Sequence, residues 1–231
     1  MEIVLARHAQ PDWYPSDRYQ TNPPLTELGF RQAERLGEHL AKEHFDLILV
    51  SPLLRARQTV APLLKHLGRE EVVADWLEEI RDPDWNGLAR ADIAAHYASE
   101  ESLSIDERWN GLPGGEHIGD FVQRIEDGLV DFLSDYGIVH HDHEIPSWTV
   151  TSGSTAERAN GPRVLCVAHG GTNGVISTRL VGAVRAPWPW FQIGYQHTTV
   201  GRFRARPTNG VLSFMMTGLE SHHLAPEDVT A

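Results

Sequence analysis

The sequence predicts an α/β fold, a three-layer α/β/α sandwich around a mostly parallel sheet, on three observations. Short apolar runs, "EIVLAR", "FDLILV" and "RVLCVA", recur along the chain with segments of helical apolar spacing between them, the alternation expected of a parallel sheet with crossover helices. The second and third runs are apolar almost throughout, so they read as strands buried on both faces. The chain of 231 residues, 41% hydrophobic and 23% charged, is long enough for one large domain with a full core.

Each element follows from local signals. A first strand over about 2–7 leads into a polar, proline-rich loop from Gln10 to Pro24. "LTELGFRQAERLGEHL" reads as a helix with Thr26 as N-cap and Leu25, Leu28, Ala33, Leu36 and Leu40 near one face. After the strand "FDLILV", the segment "SPLLRARQTVAPLLKHL" places Ser51 as N-cap and Pro52 at the first helical position, with a kink or restart at Pro62. "EVVADWL" is a third strand. The clearest helix covers Glu116 to Tyr136, where Ile118, Phe121, Val122, Ile125, Leu129, Phe132 and Leu133 hold the i, i+3, i+4, i+7 spacing. The stretch 137–162 is polar and without period, and reads as a long mobile insertion. "RVLCVAHG" is the strongest buried strand, followed by a helix from near Gly171, strands over about 198–206 and 211–217, and a flexible tail at about 219–231. No repeat is visible. The expectation is a single domain over 1–231, with the segment 82–115 passing over the strand ends.

Composition narrows the partners. A net charge of −12 argues against nucleic acid or an anionic membrane, and an anionic ligand would need a locally positive pocket. Cys166 is the only cysteine, which excludes an intramolecular disulfide and a cysteine-based zinc site. No apolar run approaches the ~20 residues of a membrane helix, and no signal peptide precedes the first strand, so the expected location is cytoplasmic.

The chemistry gathers at strand ends. His8 follows "IVLAR" and His169 follows "VLCVA", and in open α/β sheets ligands bind in the crevice outside the carboxyl ends of the strands. Gly170 and Gly171 then open a helix whose backbone N–H groups can face an anion. Arg7 closes the first strand, and Arg55 lies on the first turn after the second. Two arginines and two histidines at one edge suit a dianion such as phosphate.

"ARHA", "PLTELGFRQAERL", "SPLLRARQT", "LEEIRDPDWNGL", "GGEHIGDFVQRI" and "VLCVAHGGTNGVI" resemble, in order, the successive blocks of the histidine phosphatase superfamily, which includes the phosphoglycerate mutases. The resemblance implies a phosphoglycerate mutase-like fold and a phosphohistidine intermediate, with no metal and no cofactor. It makes His8 the nucleophile, has Arg7, Arg55 and His169 bind the phosphoryl group, and puts the proton donor at Glu79 of "WLEEI", with Glu78 pointing away. His169 is expected to be protonated beside phosphate. The implied reaction is hydrolysis of a small phosphorylated metabolite. The alternatives are phosphoglycerate mutase-type transfer and a non-catalytic phospho-ligand-binding protein. Against the mutase, the acid block reads Glu79, Ile80, Arg81, Asp82, Pro83, and "ARADIAAHY" offers Arg90 alone for a glycerate carboxylate. Further departures are Ala9 in place of a glycine, Tyr14 in place of an asparagine, and Pro83 and Asn86 in the acid block.

Gln10, Trp13 and Tyr14, on the loop leaving His8, are candidate substrate contacts. His140, His141 and His143 read as a solvated loop, since no fourth metal ligand is placed by spacing. Trp188 and Trp190 read as packing residues, His197 as structural, and Glu116 as a carboxylate suited to a helix start.

Overall fold

The structure, a computed structural model, describes residues 1–99, 102–141, 147–151, 153–187, 192–208, 211–221 and 223–231. One eight-stranded sheet runs through it in the order β3-β2-β6-β1-β7-β8-β5-β4. Its parallel half is β3 (Val72–Val73), β2 (Leu47–Val50), β6 (Arg163–Ala168) and β1 (Glu2–Arg7). The antiparallel half is β7 (Val200–Thr208), β8 (Val211–Glu220), β5 (Ser147–Val150) and β4 (Ile138–His141).

The period of two along each parallel strand divides the core between two layers. Ile3, Leu5, Val164 and Cys166 face α5 (Ile118–Ser134) and α7 (Gly170–Val181), where they meet Phe121, Ile125, Leu129, Val175 and Ile176. Val4, Ala6, Ile48, Val50, Leu165 and Val167 face α1 (Glu27–Leu40) and α2 (Leu54–Leu67), against Leu36, Leu40, Val60 and Leu63. Helices therefore cover both sides of the parallel strands, which is why those strands are apolar almost throughout. Helices α1 and α2 approach so closely that a Cβ at Gly37 would lie 2.9 Å from the Leu63 backbone nitrogen.

Several expectations change. Thr26 caps α1 as expected, accepting from the Gly29 N–H at 2.9 Å. Ser51 is not the cap of α2, which begins at Leu54 behind Leu53 and runs unbroken through Pro62. The third strand shortens to Val72–Val73, and the chain turns at Asp75–Leu77 so that Leu77 enters the core. The stretch 137–162 is structured where described. Strands β4 and β5 pair, with Trp148 buried beside Phe214, and α6 (Thr155–Ala159) starts with a capping box at Ser154 and Glu157.

The expected flexible tail is tied down. Strand β8 extends to Glu220, the Asp228 carbonyl accepts from Gln32 Nε2 at 2.6 Å, and the Thr230 carbonyl accepts from the His197 N–H at 2.9 Å. The segment 82–115 carries α3 (Arg90–Ser99) and α4 (Ile105–Arg108) and packs Trp85 and Ile93 against Tyr19. Among the described residues, no helix is long and apolar enough to cross a membrane.

Candidate active site

Strand register brings the two histidines together. In the parallel pair β1–β6, Arg7 lies opposite Ala168, so His8 and His169 are the next residue on each strand, and their rings stand 5.0 Å apart. Neighbouring β2 ends level with them, at Val50 opposite Val167, and delivers Ser51. All three strands run in the same direction, so one carboxyl edge collects groups from three distant parts of the chain.

The hydrogen bonds fix each ring. His8 is 3% exposed and its Nδ1 lies 2.7 Å from the Ala9 carbonyl. A carbonyl only accepts, so Nδ1 carries the hydrogen and Nε2 keeps its lone pair. Burial, then the neighbouring charges of His169, Arg55 and Arg7, holds the His8 imidazole well below its ordinary pKa. Ala9 is pinned in turn, its N–H donating to Thr59 Oγ1 at 2.9 Å. Its backbone is not left-handed, so the position does not require glycine.

His169 is fully buried, with Nε2 2.7 Å from Ser51 Oγ. Ser51 Oγ also accepts from the Leu53 N–H at 3.3 Å, and its hydroxyl can either donate to Nε2 or accept from it. Burial, then Arg55 and Arg7, keeps this imidazole neutral as well. His197 supports the other side, its ring 5.5 Å from that of His8. Its Nδ1 lies 2.8 Å from Thr230 Oγ1, and burial together with Arg7 lowers its pKa to about 3. The tail residues 228–230 thus brace the His8 surroundings.

Four of the eleven buried polar side-chain atoms without a hydrogen-bond partner among the described residues lie here: Arg7 Nε, Arg55 Nε and Nη1, and His169 Nδ1. Buried donors are normally satisfied, so such a cluster calls for an explanation. Four such nitrogens, three of them on guanidinium groups, at one strand edge make a receptor for an anion. Arg7 is oriented by its Nη1, which donates to the Tyr195 carbonyl at 2.6 Å, and Arg55 by lying over the Trp13 ring at 4.8 Å.

Glu79 faces these arginines from the start of α7. Its Oε2 accepts from the Gly171 N–H at 2.9 Å, and its Oε1 from the Thr172 N–H at 3.1 Å. A Cβ on residue 171 would lie 2.5 Å from Glu79 Oε1, so only glycine admits the carboxylate there. Burial raises the Glu79 pKa despite the opposing pull of these bonds and of Arg55 and Arg7. Glu78 does not point away as expected: it lines the same cavity as Glu79, where it accepts from Arg81 Nη2 at 2.7 Å. Glu116, read as a helix-start carboxylate, holds Arg124 at 2.9 Å, and Arg124 donates to the Glu78 and Glu79 carbonyls. The adjacent glutamates are thereby separated into two environments.

A cavity of ≈ 440 Å³ opens over the edge, lined by Arg7, His8, Arg55, Glu79 and Gly170, with Trp13, Asp82 and Tyr97. Of the candidate substrate contacts, Trp13 lines it. Gln10 does not: its side chain accepts from Thr26 Oγ1 at 2.8 Å, fastening the loop to α1. Nor does Tyr14, whose ring is covered by Arg90 at 3.9 Å. Sequence reasoning missed Ser51, whose cap-like setting hid its bond to His169, and Tyr195, which carries no local signal. His140 Nδ1 accepts from Arg179 at 3.0 Å, and no metal-holding cluster occurs among the described residues. His143, Trp188 and Trp190 lie outside the described residues.

Comparison with known proteins agrees with this geometry. A glucosyl-3-phosphoglycerate phosphatase of Mycobacterium tuberculosis is 32% identical over 190 residues, covering 81% of this chain and 78% of that protein. Phosphoserine phosphatase 1 of Hydrogenobacter thermophilus is 30% identical over 129 residues, covering 54% of this chain and 61% of that protein. The chain thus spans somewhat under two thirds of that relative's length. A phosphate complex of the mycobacterial glucosyl-3-phosphoglycerate phosphatase superposes with a TM-score of 0.68 at 25% identity, covering 97% of this chain and 99% of that one. The model of the histidine phosphatase superfamily (branch 1) matches residues 3–215, and the chain belongs to that superfamily.

Proposed function

We propose that the protein is a phosphatase that hydrolyses a small phosphate monoester through a phosphohistidine on His8. The observation that carries this reading is the His8 ring itself: Nδ1 is engaged by the Ala9 carbonyl, which leaves a neutral Nε2 beside two arginines with unsatisfied donors.

Phosphoryl transfer needs positioning and stabilisation of charge on the equatorial oxygens more than elaborate covalent chemistry. Arg7, Arg55, the Gly170 backbone and His169 supply it. In the first step the Nε2 lone pair attacks phosphorus, the P–O bond to the leaving group breaks, and Glu79 gives its proton to the departing alkoxide. In the second, water attacks phosphorus and passes a proton to the Glu79 carboxylate. The P–N bond breaks, and neutral His8 and phosphate are released. The raised Glu79 pKa suits the donor role, and the charge of a bound phosphate raises it further. The expected imidazolium at His169 belongs to the phosphate-bound site alone. Without a dianion, burial and the arginines keep the ring neutral, whereas a dianion reverses the local field.

Two measurements test the reading. The protein should release phosphate from an aryl phosphate with no bisphosphoglycerate present, a reaction that a mutase must suppress because it shields its intermediate from water. Failure to do so would favour transfer or simple binding. Arg7→Ala, Arg55→Ala and His169→Ala should each weaken orthovanadate binding. For either arginine the loss should be roughly 10- to 100-fold, the equivalent of the ~1.5–3 kcal/mol carried by hydrogen bonds to charged groups. Unchanged vanadate affinity in all three variants would remove the anion site.

A further inference from the structure

The lining of the cavity over the strand edge divides by element. Arg7 and His8, at the end of β1, with Arg55 on the first turn of α2, form its inner part. Residues carried by the surrounding loops and α3 form its outer end: Trp13, Leu53, Ile80 and Tyr97, with Thr21 and three charged side chains, Glu78, Arg81 and Asp82. We propose that this outer end selects phosphate monoesters whose leaving group is an uncharged polyol, and discriminates against leaving groups that carry a carboxylate or a second phosphate. The inference rests on the phosphatase reading for the inner end and adds the substrate class.

Three observations support it. First, Arg81, the one cation of the outer end among the described residues, is already committed. Its Nε and Nη2 both donate to Glu78 Oε2, at 3.0 and 2.7 Å, and its backbone N–H donates to Glu116 Oε2 at 3.1 Å. Secondly, Asp82 forms no ion pair among the described residues. Its Oδ2 accepts from the Tyr19 hydroxyl at 2.9 Å, and burial raises its pKa against the pull of that bond and of Arg55, so the outer lining offers a ligand a carboxyl group and no unpaired cation. Thirdly, apolar walls beside a carboxylate and a threonine hydroxyl match the C–H faces and O–H donors of a polyol. The ≈ 440 Å³ volume lies in the range of small-molecule sites and leaves room for more than a phosphate group.

A carboxylate placed there would lose its water beside Glu78 and Asp82, and could gain a partner only by breaking the Arg81–Glu78 pair. Unpaired like charges of this kind are an effective way to reject a competing ligand. Relatives are named for phosphoglycerate or its glucosyl derivative, and the carboxylates of such compounds would meet the least favourable part of this cavity.

The test uses calorimetric titration of the His8→Ala protein, which keeps both arginines and cannot turn the ligand over by this route. The ligands are two matched pairs differing by CH2OH against COO⁻: sorbitol 6-phosphate with 6-phosphogluconate, and glycerol 3-phosphate with 3-phosphoglycerate. The uncharged member of each pair should bind at least tenfold more tightly, and Asp82→Asn on the same background should reduce that ratio at least threefold. Equal or tighter binding of the carboxylates would overturn the proposal, and so would a ratio unmoved in folded Asp82→Asn protein. A carboxylate preference abolished by Arg81→Ala would overturn it in favour of Arg81 as the anion reader. Should Asp82→Asn not fold, the ratios in protein retaining Asp82 decide alone. Aryl phosphate hydrolysis by the wild-type chain tests the phosphatase reading separately, since the binding ratios do not depend on turnover.

Discussion

Replacing His8 by alanine is expected to lower turnover by roughly 10⁴-fold or more, the scale seen when a covalent nucleophile is removed, while the protein stays folded and still binds vanadate. The fold should survive because His8 follows the end of β1 and lies outside the two large apolar clusters that join the sheet to its helices. Anion binding should survive because Arg7 and Arg55 are held independently, by the Tyr195 carbonyl and the Trp13 ring. The combination is diagnostic. A merely structural role for His8 would lower thermal stability and vanadate affinity together, whereas the nucleophile role removes turnover alone. Activity within tenfold of wild type in the alanine variant would eliminate His8 as nucleophile.

The second large effect concerns the paired glutamates. Glu79→Gln should slow hydrolysis of alkyl phosphates such as sugar phosphates by ~10²–10⁴-fold, the usual contribution of a general acid. The loss should be distinctly smaller for nitrophenyl phosphate, whose leaving group needs no proton. Glu78→Gln should change either rate little. The two side chains are adjacent in sequence and both border the cavity, yet their surroundings differ. Glu79 is fixed by the N-terminus of α7 and is pushed toward its protonated form by burial, while Glu78 is paired with Arg81. A group acting as an acid must start protonated, so the alkyl phosphate rate in the wild type should fall as pH rises through the raised Glu79 pKa. In Glu79→Gln that alkaline decline should disappear. Exchanged phenotypes for the two variants would move the acid by one residue and leave the reaction class intact.

Much of this arrangement was legible from the chain because strand ends are local events. The runs before His8 and His169 are continuous and apolar, and β1 (Glu2–Arg7) and β6 (Arg163–Ala168) lie where the pattern puts them. Their convergence followed from the rule that parallel strands end at a common edge. What could not be read depends on non-local contacts. Ser51 has the local appearance of a helix cap, and only the level ending of β2 with β6 brings it to His169. The segment 137–162 is polar and lacks a long period, so its short strands are stabilised by pairing with each other and with β8, and by burial of Trp148 beside Phe214, not by local preference. The tail has no apolar pattern, and its order comes from the bonds of Asp228 and Thr230 to Gln32 and His197. Gln10 and Tyr14 follow the nucleophile in sequence but turn away from the cavity, because Thr26 and Arg90 offer them closer partners.

The most direct test of the account is to trap the covalent intermediate. The wild-type chain is mixed with a phosphate-labelled aryl substrate, quenched in base within milliseconds, digested, and the labelled peptide sequenced by mass spectrometry. The label is expected to be stable in base and labile in acid, located on the peptide containing His8 and carried by Nε2, with none on the same peptide from His8→Ala. Rapid hydrolysis with no label at any quench time, or with an acid-stable label or a label on another residue, would contradict the account.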